Sequence, residues 1–183
     1  MRASDPHPSE SNPDNSTADT AQPAVDLCLR PAASADRDFL LQVYASTRQE
    51  ELQLVDWSPE QKQAFITMQF EAQHRYYHEN YTGASYDIIL VDGEPAGRLY
   101  IARWPGEIRI IDIALLPAFR GRGTGTRLLK QILAEAERTG CRVSIHVEKF
   151  NPAQRLYARL GFRPVDDRGV YIRMDWTGEK AGE

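Results

Sequence analysis

The sequence predicts an α/β domain with a mixed, mostly antiparallel sheet flanked by helices. Three observations carry that expectation. The period of the apolar residues switches repeatedly between two and 3.6 along the chain. Capping and stop signals bound the stretches of helical period. A glycine-rich loop, "RGRGTG" (Arg120 to Gly125), lies between a strongly apolar run and an amphipathic helix, as in a strand-loop-helix-strand crossover.

Residues 1–24 are rich in Ser, Pro, Asp, Asn and Thr and nearly lack large apolar side chains. They cannot offset the entropy of their own ordering and are expected to be a disordered tail. The folded domain is expected over 25–176, with 177–183 as a polar terminus. "VDLCLR" (Val25 to Arg30) alternates like a first strand, and Pro31 forbids a long continuation. Phe39, Leu40, Val43 and Tyr44 then share one helical face. A second helix opens with Ser58 as N-cap, Pro59 at the first helical position and Gln61 completing a capping box. Its buried stripe is expected to be Phe65, Met68, Ala72 and Tyr76.

Asp92-Gly93, between two β-rich runs, is a hairpin turn. "EIRIIDIALLP" reads as a strand buried on both faces in mid-sheet. After the glycine loop, Leu128, Leu129, Ile132, Leu133 and Ala136 form an inward helical face that Gly140 stops. "CRVSIHVEKF" alternates Val143, Ile145 and Val147 against Arg142, Ser144 and His146. Asn151 as N-cap, Pro152 at the first position and Gly161 as the stop bound a short helix, and "VYIRMDW" is a last strand. The order is thus β α α β β β α β α β. A ligand is expected at the crossover, where strand carboxyl ends meet a helix N-terminus.

Composition excludes several classes. The 183 residues suit one domain, and 42% hydrophobic with 26% charged residues suits a soluble globular one. A net charge of −4 without a basic stripe argues against nucleic acid as a partner. No stretch approaches the roughly 18–20 apolar residues of a membrane span. The start of the chain has no apolar signal core, so a cytoplasmic location is expected. Cys28 and Cys141 are too few and too far apart for a disulfide framework or zinc site, and are expected to be buried small apolar residues. His74 and His78 have metal-ligand spacing but no third ligand nearby, so a solvated helix face and no metal are expected.

Glycine turns between a strand and a helix cradle phosphate, because bare N–H groups close around oxygens where the helix dipole favours negative charge. The dinucleotide spacing G-x-G-x-x-G fails here: counted from Gly121 its last position is Thr126, and from Gly123 it is Leu128. No Gly-Lys-Ser or Gly-Lys-Thr occurs, which removes the P-loop. What fits is Arg-x-x-Gly-x-Gly, from Arg120 to Gly125, after the apolar-x-Pro step Leu115-Leu116-Pro117. This segment resembles the acetyl-coenzyme A loop of the GCN5-related N-acetyltransferases (GNAT). "NPAQRLYARLGF" (Asn151 to Phe162) resembles that family's later motif, in which an asparagine, an alanine, a tyrosine and a Gly-Phe pair recur at this spacing.

The resemblance covers roughly Val25 to Trp176 and implies a GNAT-like sheet with a splayed central parallel strand pair. It implies an N-acetyltransferase that moves the acetyl group of acetyl-CoA, used as acyl-donor substrate without a metal, to a primary amine by direct attack in a ternary complex. The acceptor is a small molecule or a protein; neither nucleic acid nor membrane is implied, and a homodimer stays open. The alternative is a catalytically idle member that binds an acyl-CoA as a sensor or assembly module.

The resemblance also implies residue roles. Backbone amides of Arg120, Gly121, Arg122, Gly123, Thr124, Gly125 and Thr126 would hold the pyrophosphate, with Arg120 and Arg122 adding charge. Leu115 and Leu116 would offer backbone groups to the pantetheine arm. Tyr157 would protonate the departing thiolate, against the alternative of a buried aromatic on the face of Ala153, Leu156 and Leu160. Asn151 would contact the pantetheine or the substrate besides capping its helix. Asp112, an acid inside an apolar strand, is costly to bury without a purpose or a partner and is the preferred general base. Glu107, Glu148, His146 and ordered water stay open in that role, as does a purely structural pairing of Asp112 with Arg98 or Arg109. Tyr76, Tyr77 and Tyr81 either line the acceptor pocket or pack beneath the sheet.

Overall fold

The computed structural model describes residues 25–178. The expected tail and most of the expected polar terminus lie outside them. The chain runs β1 (Leu27–Pro31), α1 (Arg37–Gln53), α2 (Pro59–Asn80), β2 (Ser85–Val91), β3 (Glu94–Trp104), β4 (Glu107–Leu115), α3 (Thr124–Thr139), β5 (Arg142–Glu148), α4 (Gln154–Arg159), β6 (Arg163–Arg168) and β7 (Tyr171–Trp176). One seven-stranded sheet has the order β1-β2-β3-β4-β5-β7-β6. Every neighbouring pair is antiparallel except β4 and β5, which α3 joins as the crossover.

Each face of the sheet has its own core. Leu128, Leu129, Ile132 and Leu133 of α3 bury against Ile110 and Ile145 on one face. Each such side chain contributes about 1.5–3 kcal/mol on leaving water. On the other face Leu40 and Tyr44 of α1 meet Ile66 and Phe70 of α2 over Ile88 and Tyr100. The mixed sheet between helical layers is the expected one.

Two features of β4 open the sheet at its centre. Its parallel register with β5 ends at Ile110 opposite Ile145, yet β4 runs on to Leu115 and β5 to Glu148. The strands splay beyond that point. At the same place Ile101 of β3 faces Ile110 while Tyr100 faces Asp112, leaving Ile111 as an extra, bulged residue. A bulge bends its strand and re-aims the side chains after it. Ile111 accordingly joins the α1–α2 core, whereas Ile113 and Leu115 join the α3 core. β3 remains tight against β4 past the bulge because Gly97 has no side chain: a Cβ there would lie 2.1 Å from the Ala114 carbonyl oxygen.

Four expectations need correction. "RPVDDR" has no apolar alternation and does not read as a strand, yet β6 forms there as a fully exposed edge strand, paired among the described residues only to β7 and bulged after Pro164. The buried stripe of α2 is Ile66 and Phe70 rather than Phe65, Met68, Ala72 and Tyr76. Apolar residues are scattered over more than one face of this mostly polar helix, so period alone does not choose the face, and Phe65 packs edge-on against Trp57 at 5.2 Å instead. Cys28 is exposed on the edge strand β1, and Cys141 is half-buried. Finally, regular α4 begins at Gln154, not Pro152. Residues 151–156 start as a tighter i to i+3 turn, in which Asn151 Oδ1 still accepts the Ala153 N–H at 2.9 Å.

Candidate active site

The glycine loop ends at Gly123, whose φ of +80° is the left-handed conformation that costs glycine nothing. It serves as the N-cap of α3 without a capping side chain. Arg127 donates the first helical hydrogen bond, to the Gly123 carbonyl. The N–H groups of residues 121–126 therefore have no acceptor among the described residues. Six consecutive donors at the positive end of a sixteen-residue helix form an anion cradle. Gly125 also lets α4 approach: a Cβ there would sit 3.9 Å from Leu156, the neighbour of Tyr157.

Two expected phosphate-side arginines differ in their engagement. Arg122 is exposed. Arg120 turns away from the loop amides, donating through Nε to the Leu115 carbonyl at 2.8 Å and through Nη2 to Ser46 of α1. Leu116 donates its N–H to Ala96 of β3. On its other side β4 past Ile110 has no strand partner, which leaves an edge open along the splay.

A cleft of about 190 Å³ fills that splay. Asp112, Glu148, His146, Asn151 and Tyr157 all line it, joined by Tyr44 and Arg48 of α1, Gln73 and Tyr77 of α2, and Tyr171 of β7. Tyr157 is 5% exposed, and its hydroxyl has no hydrogen-bond partner among the described residues. Burial, and then the charge of Asp112, raise its pKa, so the phenol keeps its proton at neutral pH. Burial, reinforced by Asp112, raises that of Tyr77 likewise.

The carboxylates separate into distinct settings. Asp112 Oδ2 accepts from Arg98 Nη2 at 2.7 Å and from the Tyr77 hydroxyl at 3.3 Å, while Oδ1 has no partner among the described residues. Arg98 is 3% exposed and also reaches Gln73 at 2.9 Å. Glu148 is bridged by Arg48 at 3.2 Å, linking β5 to α1. Glu107 lies roughly 16 Å along β4 from Asp112, at about 3.3 Å per residue. Burial opposes its ionisation, but hydrogen bonds from Ser144 and Arg142 and the charge of Arg109 hold its pKa down at about 2. It does not line the cleft and is a strong structural ion pair. His146 Nδ1 lies 3.0 Å from Arg109 Nη1. An arginine only donates, so the ring accepts there and is neutral, in line with the lowering of its pKa by burial and by Arg109.

The structure thus brings Asp112, Asn151, Tyr157, Glu148 and His146 together and leaves Glu107 apart. Of the tyrosines on and just after α2, Tyr77 enters the cleft, Tyr76 faces solvent, and Tyr81, the C-cap, stacks on Trp104 at 6.1 Å. His78 stacks on Tyr86 at 4.2 Å. Tyr44, Arg48, Gln73 and Tyr171 were not anticipated at the site; their helical or strand periods mark only a face, not the cavity that face helps to close.

A family model described as the acetyltransferase (GNAT) family matches residues 47–162, more than half of the chain. The chain belongs to this family. GNAT relatives include the thialysine N-epsilon-acetyltransferase of Mus musculus, 28% identical over 53% of this chain and 64% of its own length. A putative ribosomal protein bS18-alanine N-acetyltransferase of Bacillus subtilis is 33% identical over 52% of this chain and 66% of its own. The chain thus covers under two thirds of either relative. The PaiA N-acetyltransferase of Thermoplasma acidophilum, solved with coenzyme A, superposes with a TM-score of 0.63 at 15% identity, over 83% of this chain and 99% of its own; this likeness is one of fold. The seven-stranded mixed sheet, with its single parallel pair, is the GNAT sheet that the two sequence motifs implied.

Proposed function

We propose that this protein is an acetyl-CoA-dependent N-acetyltransferase that acetylates a primary amine by direct attack in a ternary complex. The observation that carries the reading is the run of N–H groups at residues 121–126 that have no acceptor among the described residues, on the helix that follows β4, whose splayed end lines the cleft holding Tyr157. A pyrophosphate fits that cradle chemically, since it supplies the oxygens the donors lack. Acetyl-CoA supplies the acetyl thioester. The unpaired edge of β4 at Leu115 and Leu116, together with Asn151, would hold the pantetheine arm. Arg120 would release the Leu115 carbonyl to it, while Arg122 would screen the phosphates.

In the chemical step the amine nitrogen forms a bond to the acetyl carbon, and the carbon–sulfur bond breaks. Asp112, through its free Oδ1 or one water, takes the proton from the ammonium. Tyr157 gives its proton to the departing sulfur, and its raised pKa keeps that proton available. The GNAT relatives are named for amine acceptors, which supports the acceptor class.

Titration calorimetry with acetyl-CoA and CoA, beside thiol release over a panel of amines, tests the reading. Binding of both with amine-dependent thiol release is the expected result. Binding without turnover, unchanged in Tyr157→Phe, would identify an idle acyl-CoA module. No binding with the glycine loop intact would refute both.

A further inference from the structure

The acceptor side of the cleft carries arginine–carboxylate pairs rather than free carboxylates. Arg98 holds Asp112 at 2.7 Å, and Arg48 holds Glu148 at 3.2 Å. With His146 neutral beside Arg109, the charges facing the cavity cancel. A polyamine has several ammonium groups and gains from uncompensated acids; here each ammonium beyond the first would meet an arginine as closely as a carboxylate.

What is left without partners on this bridged pair, among the described residues, is one acceptor atom and two donor atoms. Asp112 Oδ1 accepts nothing, and Arg98 Nη1 donates to nothing, among the described residues. The buried Nε of Arg98 is also without a partner. A guanidinium fork that is 3% exposed, with one arm used and the rest unused, suits a planar carboxylate.

Resting on the acetyltransferase reading above, we propose that the acceptor is a small zwitterion, a free amino acid. Its α-ammonium sits on Asp112 and its carboxylate on Arg98. Asp112 removes one proton from the ammonium, the freed nitrogen bonds to the acetyl carbon, the carbon–sulfur bond breaks as the sulfur takes the proton of Tyr157, and the second nitrogen proton returns through water to the Tyr157 oxygen. The products are an N-acetyl amino acid and CoA thiol. Arg98 is a specificity residue in this scheme.

The test uses the full chain with acetyl-CoA and measures thiol release for the common amino acids, for the amines that share their side chains but lack the carboxylate, and for spermidine. The best amino acid is expected to exceed its decarboxylated partner at least tenfold in kcat/KM, mostly through KM, and to exceed spermidine further. Arg98→Gln, checked for retained acetyl-CoA binding, narrows the first gap below threefold. If that variant does not fold, the wild-type comparison alone decides. Equal or better rates with the decarboxylated amines or spermidine overturn the zwitterion and leave the acetyltransferase reading standing. Acetyl-CoA binding with no amino acid acetylated also overturns the zwitterion. Absence of acetyl-CoA binding overturns the underlying reading itself.

Discussion

Replacing Gly97 with alanine should cost stability and donor affinity together, because this glycine lets β3 lie against β4 beside the splay. An added Cβ would lie 2.1 Å from the Ala114 carbonyl oxygen and 3.0 Å from the Leu115 Cα. Both are backbone atoms, so no side chain can swing away. The strands must part by about 1 Å or more to approach ordinary contact distances of ~3.5 Å. Overpacking of this kind costs about 1–3 kcal/mol. Removing a glycine from the unfolded chain returns about 0.4–1 kcal/mol. The net loss of roughly 1–2 kcal/mol should lower Tm by about 2–8 °C for a domain of this size. Because Ala114 lines the cleft and Leu115 ends the open edge, acetyl-CoA should also bind more weakly. Thermal melting and titration calorimetry on the same preparations measure both effects. A Tm equal to or above that of the wild type would refute the close approach on which the reasoning depends.

Three further outcomes are expected. Tyr157→Phe removes a hydroxyl with no hydrogen-bond partner among the described residues, so Tm should scarcely move, whereas kcat should fall about 10²–10³-fold with the lost proton donor; a kcat within threefold of wild type removes Tyr157 from the chemistry. Gly123→Ala places a Cβ at φ +80°, costing about 1–2 kcal/mol of stability, and distorts the amide cradle, which calorimetry should register as at least tenfold weaker CoA binding. Glu107→Gln probes linkage: a carboxyl held at about 2 in the folded chain and near its ordinary value unfolded adds stability above pH ~4.5 that is lost as pH falls toward 2. Wild type should therefore be more stable than the variant at pH 7, by about 3 kcal/mol at most, and the two stability curves should converge near pH 2; a difference independent of pH would contradict the ion pair.

Much of this architecture was legible because it is encoded locally. Ser58, Pro59 and Gln61 do build the capping box that starts α2, with the Gln61 N–H on Ser58 Oγ and the Ser58 N–H on Gln61 Oε1. Asp92-Gly93 does turn the β2–β3 hairpin. The stripe from Leu128 to Ala136 is the buried face of α3, since its apolar residues lie on one side only. Where a segment's apolar residues were scattered around the helix among polar ones, as in α2, or where it was polar and proline-bearing, as in β6, local chemistry did not choose between faces or between strand and loop. Packing against α1 and pairing with β7 made those choices.

The site divides along the same line. By itself the sequence determined the glycine loop, the later Asn151 to Phe162 motif and the presence of an acid inside β4, because glycine spacing, caps and a charge in an apolar run are properties of neighbouring residues. Only the tertiary structure decided that Arg98 rather than Arg109 meets Asp112, that Glu107 is tied up elsewhere, and that Tyr44, Arg48, Gln73 and Tyr171 close the cleft. The bulge at Ile111 and the early end of the β4–β5 register turn Asp112 toward α2 and open the sheet beside it. Those are consequences of strands far apart in the chain meeting in one register, which no local pattern records.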